Sequence, residues 1–450
     1  MQSKVPKDSF HGWLVVVACS IAFFMFVGNS SCFGLLEIEI RQLFYGQASS
    51  ISAINALYNG LGFGLAPVVA AFTKVVSCRL LCACGSFFCF IGFLVAANAQ
   101  TLPVIIFCIG VLPGIGFSCI TVPSTIMVGE YFEKRRPVAL ILSVLGGGVG
   151  IVVSPYIFTH LNQTYGLRGT FLILSAVSLN GIMFSFLYNI NLAKSKQSRL
   201  NVLREVCLTV FDRELMRTTN FPAVTLSFLL LYIVYAIPFL FLPKKAFQLG
   251  FSEDMTSLLL SIIGISNFIS RLLMAIAASR SPFCRQVLLS SSFVINSVSL
   301  LIFAIFSDFL FLAIGASFSG FSAGIFISVT PAVFLDLFGY DKLASSIGSH
   351  FLVVGLGYVI GGPLMQSLSL VLSDINTVFY VSAGCSSLST LMLMSVTCDR
   401  YLPRRQTSCC TRHRTSDQSQ KALSGDVNKV FTISTPECQT GSAIIYSDKL

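Results

Sequence analysis

Long apolar runs, each about one bilayer crossing, succeed one another along this chain with short polar breaks between them. An apolar stretch of about 18–20 residues is long enough to span a hydrocarbon core as a helix. Twelve stretches reach that length. Their approximate spans are 13–35, 51–73, 80–98, 102–126, 138–160 and 169–190, then 222–243, 256–279, 287–306, 309–333, 344–370 and 376–397. A polar, basic segment separates the first six from the second six. The pattern predicts an all-α membrane protein with twelve transmembrane helices in two six-helix bundles. Its parts are a tail at 1–12, a bundle at 13–190, a linker at 191–221, a bundle at 222–397 and a tail at 398–450. The first run follows only "MQSKVPKD" and is long enough to span, so it predicts a helix rather than a cleaved signal. The last segment is polar and predicts disorder.

Composition fits this pattern. The chain is 54% hydrophobic and 11% charged, where soluble domains carry about 25% charged residues. Its 15 cysteines lie mostly inside apolar runs such as "CRLLCACGSFFC", without the spacing of a zinc site or a disulfide framework. They read as small residues facing lipid or bundle. The net charge of +10 is explained by its placement. With both termini cytoplasmic, 24 of the 29 Lys and Arg residues fall on the inner side, and the outer loops hold Arg41, Arg168, Lys244 and Lys245. The short loops alone show the same bias. A multi-pass protein with inner termini follows, and nucleic acid is not required as a partner.

Twelve helices split by an inner linker are the plan of a major facilitator transporter, in which two bundles rock about a central cavity. Several motifs narrow this. "DSFHGW", Asp8 to Trp13, is similar to a D-G-G-W-G-W signature at Asp8, Gly12 and Trp13. "YFEKRRPVALILSVLGGGVG" matches Y-F-x-K-R-R-x-L-A-x-G-x-A-x-x-G-x-x-x-G at Tyr131, Phe132, Lys134, Arg135, Arg136, Ala139, Gly146 and Gly150, whereas Ile141 and Ser143 replace small residues. "YGLRGTFLI", "SIIGISNFISR", "LFGYDKLASSIG" (with Asp341 and Lys342) and "GGPL" add further matches. From residue 8 to about 397 the chain resembles the monocarboxylate transporter family of the major facilitator superfamily. The resemblance implies alternating-access transport of a small organic anion or zwitterion across the plasma membrane. It also implies a single-span glycoprotein chaperone, which some family members have as a partner.

The motif residues have physical readings as well. Gly146 and Gly150 clear one helix face, which close packing in lipid requires. "EKRR" is either a cytoplasmic topology anchor or one side of a charge clamp between inner loops. With Asp8, Trp13, Asp341 and Lys342, these residues form the candidate gating set.

"SIIGISNFISR" places Asn267 and Arg271 four apart, on one helix face. From Arg271 to Ser279 the helix rises about 12 Å, further than snorkelling comfortably reaches. An arginine at this depth costs about 2.5–3.5 kcal/mol on insertion scales, so it faces a bundle interior or wet cavity. It is either an anion receptor, its planar fork matching a carboxylate, or a structural cation capped by backbone carbonyls. In proton-coupled members of the family the resemblance implies an aspartate and an arginine at these positions, and a lysine late in the first helix. Here Asn267 and Ser31 stand in place of the two other charges, and an amide cannot take up a proton.

His350 lies about 12 Å inside its helix and is either a proton-exchanging group or helix–helix glue. Asn29, Ser30, Ser31, Asn55, Tyr58 and Asn59 either line a cavity or join helices. No P-loop, metal cluster or nucleophile–base pair is present, so neither an enzyme nor a cofactor is expected. "NQT" at Asn162 is a formal glycosylation acceptor in a short loop, and Cys409 and Cys410 beside basic residues resemble a palmitoylation site. Transport without strong proton coupling is the function expected. The alternatives are a proton symporter using another titrating group, or a receptor or scaffold that moves no solute.

Overall fold

A computed structural model describes residues 8–43, 48–73, 75–133, 135–188, 213–218, 220–277, 282–339, 342–372 and 374–401. Among these residues every regular element is helical. The helices belong to one compact unit ending at Leu402. Lys134, Asp341, residues 189–212 with most of the linker, and the tail from 402 onward, with Cys409 and Cys410, lie outside the described residues.

In chain order the helices are α1 (Phe10–Ser31), α2 (Phe33–Leu43), α3 (Ala48–Gly64), α4 (Ala66–Phe72), α5 (Cys78–Ala96), α6 (Leu102–Tyr131) and α7 (Arg136–Ser185). After a short turn of helix, α8 (Arg213–Met216), come α9 (Asn220–Tyr235), α10 (Ile237–Gln248), α11 (Glu253–Ala277), α12 (Pro282–Ile305), α13 (Phe309–Phe338), α14 (Leu343–Leu372) and α15 (Ile375–Tyr401). Ten described helical segments are long and apolar enough to cross a membrane, or up to eleven when the bent pair α3–α4 counts as one. The protein is a multi-pass, all-α membrane protein. Within α7, Gly166 takes φ 66° and ψ 176°, a conformation that breaks the helix. A π-helical segment, Ile106–Val111, interrupts α6.

Packing follows the chemistry of lipid, where apolar surface alone does not hold helices together. Close approach and hydrogen bonds between helices do that work. A side chain at Gly146 would run into the carbonyl of Ser20, and one at Gly150 would meet the Phe24 carbonyl at 2.5 Å. These two positions therefore let α7 lie directly on α1. Ser386 accepts from Asn296 at 3.1 Å and from Ser297 at 2.9 Å, tying α15 to α12. Arg285 grips Asp336 through two bonds of 2.8 and 2.7 Å between α12 and α13. The described cysteines are free thiols and mostly buried.

One boundary differs from the sequence expectation. Lys244 and Lys245, placed by pattern in an outer loop, lie within α10, because the helix continues past Pro243. Pro243 ends the apolar run, yet its ring sits inside the helix.

Candidate functional site

Helices α7 and α11 run antiparallel along each other. Gln163 donates to Glu253 at 2.9 Å, Thr159 and Ser257 share a hydrogen bond of 2.8 Å, and Ser261 donates to the Val152 carbonyl at 2.7 Å. Further along, a side chain at Gly148 would reach Phe268 and the Asn267 amide oxygen at 3.6 and 3.7 Å. The seam ends where Arg271 Nη1 donates to the Val144 carbonyl at 3.1 Å.

Arg271 is 6% exposed, and no carboxylate pairs with it among the described residues. Its Nε is sealed in the interior without a partner. Tyr232 and Tyr235 of α9 are its electrostatic neighbours. Asn267 is fully buried, and neither its amide nitrogen nor its amide oxygen meets a hydrogen-bond partner among the described residues. Buried polar groups are rarely left so, and each costs about 1–3 kcal/mol when unpaired. The two residues offer guanidinium and amide donors plus an amide acceptor. That set can hold a carboxylate, but it cannot store a proton near neutrality.

His350 on α14 is wrapped by Phe228, Tyr232 and Phe334, with ring centroids 4.7, 5.7 and 5.2 Å away and edge-to-face geometry. Its Nδ1 is buried without a partner. Tyr232 thus touches both His350 and the neighbourhood of Arg271, so the structure brings these predicted residues to one region.

The polar points of α1 and α3 are differently engaged. Ser31 donates to the Gly28 carbonyl at 2.7 Å within its own helix. Tyr58 donates to the Phe26 carbonyl at 3.1 Å. Asn59 accepts from Ser30 at 2.9 Å and donates to the Asn55 side chain at 2.6 Å. These contacts join helices or close local turns. Asn29 alone of the group keeps a buried amide nitrogen with no partner.

Part of the gating set meets at the start of α1. Asp8, at φ 57°, donates its N–H to the Tyr131 carbonyl at 2.9 Å, and its carboxylate accepts from the Arg135 N–H at 3.2 Å. Trp13 meets Phe132 edge-on at 4.9 Å. Arg136 begins α7, and Lys342 precedes α14, accepting from the Ser346 N–H at 2.9 Å. The start of α1 is thus hooked onto the α6–α7 turn.

Sequence reasoning missed a second charged cluster. Glu37 on α2 is 3% exposed. One of its oxygens accepts from Lys244 at 2.7 Å and from Arg41 at 2.9 and 3.2 Å. Lys244 also donates to Gln366 of α14 at 2.8 Å. Helical spacing gives the Glu37–Arg41 pair away; the partner 207 positions along the chain leaves no local signal. Tyr235 and Tyr358 were also passed over, since a tyrosine in an apolar run looks like packing.

The profile of the Major Facilitator Superfamily matches residues 18–282 and 224–408. Among curated proteins, the chain is 22% identical to monocarboxylate transporter 12-B of Danio rerio, covering 89% of this chain and 90% of that one. It is 25% identical to monocarboxylate transporter 6 of Homo sapiens, covering 85% and 79%. Among solved structures, the nucleoside transporter NupG superposes with a TM-score of 0.67 at 17% identity, covering 85% of this chain and 99% of that one. A POT family transporter in complex with 5-aminolevulinic acid gives 0.70 at 13% identity, covering 88% and 98%. With the membrane helices and a family match over residues 18–408, the chain belongs to the Major Facilitator Superfamily of membrane transporters, and within it resembles the monocarboxylate transporters.

Proposed function

We propose that this protein carries a small organic monocarboxylate or zwitterion across the plasma membrane by alternating access, with the substrate carboxylate held at Arg271. The observation that carries the reading is a buried guanidinium with no acidic partner, beside an amide with no hydrogen-bond partner, among the described residues. An intramembrane charge of this kind is a functional site by default. The names of the curated relatives support the same substrate chemistry.

Counted as two spans at the Gly166 break, and with α3–α4 as one, the helices make twelve. They form two bundles, 13–190 and 222–397, with both termini cytoplasmic. The α7–α11 seam, the Phe63–Tyr358 stack and the Glu37–Lys244 pair all bridge these halves. With the termini inside, the Glu37–Lys244 pair and the Glu253 end of the seam belong to the outer side, and the reading takes this state as closed there.

Transport is not of the proton–lactate type, because Asn267 cannot titrate and Ser31 carries no charge. Uptake by the full chain in proteoliposomes tests both parts. Radiolabelled monocarboxylates enter wild-type vesicles, and Arg271→Ala abolishes entry. An imposed inward proton gradient changes the wild-type rate little. Uptake that persists in Arg271→Ala refutes the carboxylate site, and strong acid stimulation refutes the uncoupled mechanism.

A further inference from the structure

Arg271 is flanked by aromatic rings rather than by further charge. Tyr232 and Tyr235, three apart on α9, both lie within its electrostatic reach. Tyr358 of α14 closes against them, with ring centroids 6.3 and 6.1 Å away. Phe326 of α13 stands edge-on to Tyr232 and Tyr235 at 5.9 and 5.5 Å. From the other half of the chain, Phe63 of α3 stacks on Tyr358 at 5.9 Å, tilted by 10°. Rings from four helices therefore meet beside one cation.

The tyrosine hydroxyls separate this cluster from ordinary core packing. A tyrosine buried in a core usually finds a partner for its hydroxyl. Tyr58 and Tyr188 do so, at the Phe26 carbonyl and the Ser124 hydroxyl. The hydroxyls of Tyr232, Tyr235 and Tyr358 meet no partner among the described residues, although Tyr232 and Tyr358 are buried. Three polar tips without a described partner thus gather, with their ring edges, near the guanidinium. A two- or three-carbon acid seated at Arg271 would leave most of that wall untouched. Ligand sites of mixed character take a charged head at the cation and a flat apolar body against the rings.

We propose that the carboxylate bound at Arg271 belongs to an arylalkyl acid, whose ring lies against Tyr232, Tyr235 and Tyr358. The assignment rests on Arg271 as the carboxylate receptor and adds the part of the substrate that sets specificity. Phe63 joins the wall from the opposite half, so the ring of the substrate touches both halves where they must part.

The test uses the full chain in proteoliposomes, with matched acids differing only by a phenyl group: phenylacetate against acetate, 3-phenylpropionate against propionate, and phenyllactate against lactate. Leak into protein-free vesicles is subtracted. In each pair the aryl acid shows a KM lower by about tenfold, equivalent to about 1.4 kcal/mol. Tyr235→Leu and Tyr358→Leu bring the aryl-to-alkyl ratio of kcat/KM toward unity, whereas Tyr235→Phe retains the preference. The ratio is internal to each preparation, so a less stable variant still reports. Equal KM values within the wild-type pairs overturn the aryl assignment, and Arg271-dependent uptake of both members then leaves the carboxylate reading standing. A preference that survives both leucine variants places the ring elsewhere and overturns the role of the tyrosines. Uptake indifferent to Arg271→Ala, or no uptake of any acid, overturns the carboxylate reading and this one with it.

Discussion

At the scale of single residues, the contrast between Arg271 and Asn267 decides what the site can do. Arg271 keeps its charge at any physiological pH, and Arg271→Lys retains the charge while losing the planar fork. That change should lower kcat/KM for a carboxylate by about 10- to 100-fold, the equivalent of one charge-assisted hydrogen bond of about 1.5–3 kcal/mol. Initial-rate uptake at varied substrate concentration measures it. Asn267→Asp puts a carboxylate one helical turn from the guanidinium, where it competes with the substrate. Uptake in this variant should fall at neutral pH and recover as the medium is acidified and the new acid is protonated, opposite to the flat profile expected of the wild type. A flat profile in Asn267→Asp would show that the two side chains do not share a site. The arginine was legible in the sequence because a cation deep in an apolar run has no cheap explanation. The engagement of Ser31, Tyr58 and Asn59 with nearby helical groups was not, because a hydroxyl or amide in such a run fits a cavity or a helix contact equally well. The aromatic wall was hidden for a related reason: its rings come from residues 63, 232, 235, 326 and 358, which only the fold assembles.

At the scale of helices, buried ion pairs and missing side chains hold different interfaces by different means. Glu37 and Lys244 bridge α2 and α10, with Gln366 of α14 taking a further bond from the lysine. The pair gains little over an apolar contact of equal volume, but removing one partner strands the other. Glu37→Gln should therefore destabilise the closed arrangement by up to about 3–5 kcal/mol, and adding Lys244→Met should restore much of the loss. Thermal unfolding of purified protein in detergent reads both, and the double variant distinguishes an ion-pair effect from simple misfolding. The glycine contacts behave more simply. Gly146→Val drives a branched side chain into the Ser20 carbonyl and should lower the unfolding midpoint sharply. The equivalent change at Gly384, where a side chain meets nothing within 4 Å, should be nearly silent. The glycine spacing in α7 predicted a close helix contact correctly, since small residues in lipid have few other uses. The length of α10 was misjudged because a proline and two lysines mark a helix end in water, whereas here Lys245 is satisfied by the Phe303 and Phe306 carbonyls and Asn376.

At the scale of the whole molecule, apolar run length alone led to the all-α membrane fold, because the bilayer fixes how long a crossing must be. It could not show which faces of those helices touch, and transport depends on contacts that break. The α7–α11 seam is one such contact and contains few charges. Between Gln163 and Val144 it covers about 28 Å of helix at 1.5 Å per residue. In an alternating cycle its Glu253 end must separate when the outer side opens, while the hydroxyls of Thr159 and Ser257, 2.8 Å apart, part with it. Replacing both, Thr159→Cys with Ser257→Cys, places two sulfurs where a disulfide needs only a small backbone adjustment. Under oxidation the paired variant should lose uptake, and reduction should restore it, while each single variant reports any background from the native thiols. Counterflow exchange sharpens the readout, since substrate already inside stays trapped if the outer side cannot open. Full-rate transport by a protein shown by mass to be cross-linked would mean that this seam never opens, and that the halves move about some other line.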